Sequence, residues 1–148
     1  MDYTARTGLF LILFLSACIA NVSGQPGIFN VLNFGAKADG NTDDAKAFLA
    51  AWAQACAAIG KAKVWIPQGT YLASTVEFRG PCKGLVEFQL DGTVKAPVNM
   101  AGQSNWIVFA RITGLAVSGL GAFDAQGALA WSQNQCSNRE KGGQCKFP

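Results

Sequence analysis

Apolar residues recur along this chain with two different periods, and the change between them falls at Gly60. Over residues 43–59, Ala45, Phe48, Leu49, Trp52, Cys56 and Ile59 follow at three- and four-residue spacing, which predicts an amphipathic helix stopped by Gly60. Thr42 or Asp43 is placed to cap that helix, and carboxylates at Asp43 and Asp44 suit the positive end of its dipole. Beyond Gly60 the apolar runs shorten and become rich in β-branched and aromatic residues: KVWIP (63–67), TVEF (75–78), LVEFQLDGTVKAP (85–97), WIVFARI (106–112) and LAVSGLGAF (115–123). Gly, Pro, Asn or Asp breaks each run. No second helical period separates these strands, so the pattern predicts either an antiparallel sandwich or a solenoid whose strands stack coil on coil. GLVEFQLDGTVKA (84–96) and GLAVSGLGAFDA (114–125) share an apolar run, a glycine and a second short strand, and this weak repeat favours the solenoid. In a solenoid the helix gains a role, because Phe48, Leu49, Trp52 and Cys56 would cover the open end of the first coil. At the other end the strands run to about Phe123 with no polar cap before Pro148, so the sequence is expected to be incomplete.

The N-terminus carries a different pattern. Arg6 precedes a 13-residue apolar run, residues 8–20 (GLFLILFLSACIA), followed by small residues to Gly24. Such a run fits a signal-peptide core and falls short of the roughly 20 residues of a membrane span. Residues 1–24 are therefore expected to be removed near Ala20 or Gly24, leaving residues 25–148 as a secreted domain with no membrane association. The sequon Asn21-Val22-Ser23 lies at or before that cleavage site. Cys18 leaves with the signal, and the remaining Cys56, Cys82, Cys136 and Cys145 predict two disulfides in an oxidising compartment. Three pairings are possible; Cys56–Cys82 with Cys136–Cys145 is the simplest, since the second pair closes a short local loop.

Candidate chemistry is mostly excluded. The chain has no histidine and no Cys-x-x-Cys, which rules out a zinc site of the usual kind and nucleophilic catalysis by a Cys/His or Ser/His/Asp set. GLGAFD (119–124) places Asp124 where a dinucleotide fingerprint needs its third glycine, and GKAK (60–63) lacks the rest of a phosphate loop, so no cofactor is expected. The net charge is +3, and Lys37, Lys61, Lys63, Arg79, Lys83, Arg111 and Lys146 are scattered, which argues against a nucleic-acid partner while leaving a mild field for an acidic polymer. Trp65, Trp106 and Trp131 are candidates for sugar stacking, although burial is the commoner fate of an indole. Asp43 and Asp44 look like an acid pair, but their place at a helix start is explained by capping.

Taken in order, FNVLNFGAKADGNTDDAKAFLAAWAQAC, VWIPQGTYL, FRGPCKG, LDGTVKAP and GLGAFDAQGALAW resemble the N-terminal part of plant polygalacturonases, particularly the pollen-type exopolygalacturonases. The resemblance spans about Phe29 to Cys145. It implies an all-β fold, the first coils of a right-handed parallel β-helix with an N-terminal capping helix. It further implies a monomeric enzyme of the cell wall that hydrolyses α-1,4 linkages of galacturonan with inversion, by exo action, without cofactor or metal. The family's catalytic motifs are Asn-Thr-Asp, Asp-Asp in a later coil, Gly-His-Gly and Arg-Ile-Lys. Asn41-Thr42-Asp43-Asp44 repeats the first in letters only, since it stands before the first coil, and Arg111-Ile112-Thr113 is an unrelated partial match. No catalytic residue carries over, substrate-binding residues stay unassigned, and the 148 residues alone are expected to be inactive. Two other readings stand beside this one: a truncated pectin-binding or inactive product, and a secreted lectin-like sandwich.

Overall fold

In the run KAKVWI, Ala62, Val64 and Ile66 are buried while Lys61, Lys63 and Trp65 lie on the other face, the period-two alternation of a strand with one side in a core. A computed structural model describes residues 27–98, 100 and 105–128, and in it this strand, β3 (Lys61–Ile66), lies between two others of parallel direction. β1 (Gly27–Asn30), β3, β6 (Leu85–Leu90) and β9 (Leu115–Ser118) form one sheet in that order. A second sheet contains β2 (Asp39–Asp43), β4 (Thr70–Leu72), β7 (Thr93–Lys95) and β10 (Ala122–Asp124), and a third pairs β5 (Val76–Arg79) with β8 (Ile107–Ala110). Every pairing is parallel, with each strand beside its counterpart one coil later in the chain. The fold is therefore a parallel β-helix, and the antiparallel sandwich is excluded.

Stacking in register makes the core a set of columns. Ala62, Val64 and Ile66 sit beside Val86, Phe88 and Leu90, Val94 lies between Tyr71 and Phe123, and Phe78 lies beside Phe109. Between the sheets, Phe78, Phe88 and Phe109 meet at centroid distances of 4.9–5.2 Å. The weak repeat is one coil laid on the next: Val86 pairs with Leu115 and Thr93 with Ala122, the same offset in both cases. Its glycines are steric requirements. A Cβ on Gly84 would lie 1.8 Å from the Gly60 carbonyl oxygen, and one on Gly121 would lie 2.1 Å from that of Gly92.

Helix α1 (Ala45–Ala57) takes the place of a third-sheet strand in the first coil and closes that end. Its buried face is Ala45, Ala47, Phe48, Ala51, Trp52 and Ala55, with the Trp52 ring 5.2 Å from Phe78 and Phe48 5.7 Å from Tyr71. Two apolar positions expected on that face are not on it. Leu49 is 38% exposed, and Ile59, 91% exposed, lies beyond the helix, which ends at Ala57 because Ala58 is already extended. The N-cap is Asp44 rather than Thr42 or Asp43. Cys56 and Cys82 are bonded, tying the end of α1 to the turn after β5. Cys136, Cys145, Trp131, Lys146 and residues 1–24 lie outside the described residues.

Candidate functional site

Asp43 and Asp44, adjacent in sequence, face different partners. Asp43 Oδ1 accepts from the Ala45 amide at 3.0 Å and from the Ser74 amide at 3.1 Å, so it serves the first helical turn and fastens it to the corner after β4. Burial pushes its pKa up, and the amides of Ser74 and Ala45, helped by the Lys46 charge, more than reverse this and hold it below the usual value. Asp44 is buried with its carboxylate turned away from the helix, accepting from the amides of Lys37 at 2.7 Å and Ala38 at 3.2 Å. It makes no side-chain capping bond, so the capping role expected for both aspartates holds for Asp43 only. Asn41 is consumed in the same turn: its side-chain amide donates to the Asp39 carbonyl, while Asp39 accepts from the amides of Asn41 and Thr42 and the Thr42 hydroxyl. Those bonds, that of the Thr42 amide first, lower the Asp39 pKa to about 2. The letters Asn-Thr-Asp-Asp thus describe a folding device.

The polar groups that face outward together lie on the first sheet. Register sets Lys63 beside Glu87 and Trp65 beside Gln89, with Ser118 next in line. Lys63 Nζ lies 3.3 Å from Glu87 Oε2 and donates to Gln89 Oε1 at 2.6 Å. Gln89 Nε2 and Trp65 Nε1 both donate to Asp91 Oδ2, at 2.7 and 2.8 Å, and Ser118 Oγ donates to Glu87 Oε1 at 2.7 Å. The Ser118 bond, then Lys63, holds the Glu87 carboxyl below its usual range, and the Trp65 and Gln89 bonds do the same for Asp91. Trp65, Pro67, Gln68, Asp91 and Leu120 line a groove open to solvent beside this network. Such a face offers an indole edge, amides and a cation to a hydroxylated ligand, but its two carboxyls are both held ionised and neither is poised to donate a proton.

Of the tryptophans, Trp106 is structural: its Nε1 donates to the Ala73 carbonyl at 2.9 Å and its ring packs against Phe123 at 6.1 Å. Trp65 borders an open groove. Glu87, Gln89, Asp91 and Ser118 were not legible as a group in the sequence. The available signal was the polar phase of LVEFQLDG, whose alternation puts Glu87 and Gln89 on one face, yet their partners come from neighbouring coils. Among the described residues no group of three or more His, Cys, Asp or Glu side chains is arranged to hold a metal ion. No described helix is long and apolar enough to cross a membrane.

Residues 56–147 match the family described as Glycosyl hydrolases family 28. A polygalacturonase of Gossypium barbadense is 44% identical over 89% of this chain and 32% of its own length. An exopolygalacturonase of Zea mays is 39% identical over 81% of this chain and 30% of its own, and one of Platanus acerifolia is 43% identical over 84% and 33%. The chain thus spans about a third of the length of these curated relatives. With parallel coils, a helical cap and this match over most of its length, the chain belongs to glycosyl hydrolase family 28.

Proposed function

We propose that this chain is the N-terminal part of a secreted polygalacturonase that hydrolyses α-1,4-galacturonosyl linkages of pectin in the cell wall, with inversion and by exo action. Residues 1–24 act as the signal peptide. The observation that carries the reading is the family match over residues 56–147, which include the described coils from β3 onward, and the names of the relatives supply the substrate class. Inverting hydrolysis needs a protonated carboxyl for the leaving oxygen and a carboxylate that activates water, roughly 6.5–9.5 Å apart across the bond. The described carboxylates with shifted pKa values, Asp39, Asp43, Glu87 and Asp91, are all shifted toward the ionised form, which suits folding and leaves the acid role unfilled. In this reading the 148 residues supply the cap and first coils, and the reacting groups belong to sequence beyond Pro148.

A second reading, a pectin-binding product without catalysis, is favoured by the open groove beside Trp65, whose indole edge suits a hydroxylated ligand. One experiment separates the two. The native transcript is read past the codon for Pro148, and both the longer product and the 148-residue chain are assayed for reducing ends released from polygalacturonate, with the anomer of the product followed by proton NMR. Release with inverted anomer by the longer product alone supports the enzyme reading. A stop codon directly after Pro148 overturns it in favour of binding, and hydrolysis by the 148 residues overturns the placement of the reacting groups.

A further inference from the structure

The corner between the third and first sheets collects exposed cations that the hydrolytic reading does not use. Arg79 ends β5, Lys83 stands in the turn that follows, Lys61 begins β3 and Arg111 follows β8; all four are exposed. The backbone brings these segments together. The Lys83 amide donates to the Cys56 carbonyl at 2.9 Å, Gly84 rests on Gly60, and the Gly80 amide donates to the Ala110 carbonyl at 2.9 Å, next to Arg111. Among the described residues Glu77 is the acidic partner of Arg79, whereas Lys61, Lys83 and Arg111 form no ion pair. Ile59, 91% exposed, and Leu85, 52% exposed, lie on the same corner and set apolar surface between the charges. Arg111 is held at φ 56, a left-handed conformation that costs a side-chain-bearing residue about 1 kcal/mol and that glycine adopts freely. The Cys56–Cys82 bond fixes the turn carrying Lys83 to the end of α1, so the ledge is held in place before any ligand arrives.

We propose that this corner is a binding ledge for a linear polyuronate, engaged by Lys61, Lys83 and Arg111 through its carboxylates and by Ile59 and Leu85 through the apolar faces of its sugar rings. Lys61, Lys83 and Arg111 stand at successive corners of the coil, which repeat about every 4.8 Å along its axis, an arrangement that suits an extended polymer with one carboxylate per sugar. It is separate from the polar network on the first sheet, where Lys63 is already paired with Glu87. The inference rests on the reading of pectin as substrate class and extends it to a site that gathers the polymer without cutting it.

Binding of a de-esterified oligogalacturonide to the 148-residue chain, measured by titration calorimetry at low and high salt, tests the ledge. A K61Q/K83Q/R111G variant should bind about tenfold more weakly at low salt, with a smaller salt dependence, because each exposed contact is individually modest and screened. R111G alone should bind more weakly while melting no lower than the parent, since glycine suits that φ; this separates lost charge from lost fold. K37Q/K46Q, near the other end of α1, should bind like the parent. Unchanged affinity in the triple variant overturns the ledge, as does equal affinity for the fully methyl-esterified oligomer or for a polyphosphate of matched charge. The hydrolytic reading fails separately, in the reducing-end assay of the longer product.

Discussion

Asp44 shows how much one buried carboxylate can organise. Two loop amides converge on it from residues 37 and 38, inside a site that excludes water, so removing the acceptor strands both donors. Asp44→Ala should cost about 2–3 kcal/mol, read as a lower urea midpoint, and Asp44→Asn, which keeps one acceptor oxygen, should cost less. Phe88 makes a parallel case in the apolar core, where it meets Phe78, Phe109 and Phe123; Phe88→Ala should destabilise by about 3–5 kcal/mol in the same assay. Titration adds a third test. Asp39, Asp43, Glu87 and Asp91 are all shifted downward on folding, so each contributes stability above its unfolded pKa and loses it as pH falls through the folded value. The urea midpoint should therefore stay level from neutral pH to about pH 5 and decline below about pH 4, and Asp43→Asn should make that decline shallower.

At the scale of elements, α1 and the disulfide at its end act as one unit. The bridge closes a separation of 26 residues, for which chain entropy assigns about 3.5 kcal/mol, so Cys56→Ser with Cys82→Ser should lower stability by that order in a denaturation series. The strands of the central coils were legible because their burial alternates strictly, as in KAKVWI and LVEFQL. The helix was legible for the same reason at its own period, although Leu49 and Ile59 misled: an apolar side chain at the edge of a stripe stays in solvent when the neighbouring element does not reach it. β2 was invisible, since DGNTD has no apolar phase and pairs with β4 through an irregular register that no local pattern encodes. Three-residue strands such as β4 and β10 are too short for a period to show. The roles of Asp44 and of the first-sheet network were hidden for a related reason. Their partners arrive from other turns of the chain, and a linear text carries no record of which residues will stack.

Within the 148-residue chain, burial falls toward the last described coil. β3 and β6 alternate between buried and partly exposed positions, whereas β10 is exposed throughout, with Val117, Leu120 and Phe123 in solvent on the last described coil. A solenoid is stabilised by nearest neighbours, so amide hydrogen exchange should be slowest in β3 and β6 and faster in β9 and β10; uniform protection across all four strands would contradict this arrangement. The strand order of the first sheet also repeats the order of the chain, β1, β3, β6, β9, with α1 completed before β3 begins. Synthesis from the N-terminus delivers elements at roughly 5–20 residues per second, far slower than local strand and helix formation. The emerging polypeptide thus finds the cap already in place, and each new coil meets a finished surface whose open backbone groups serve as its template. Construction on the ribosome and stacking in space follow the same direction, and β3, β4, β6, β7, β8, β9 and β10 each find an earlier partner already made.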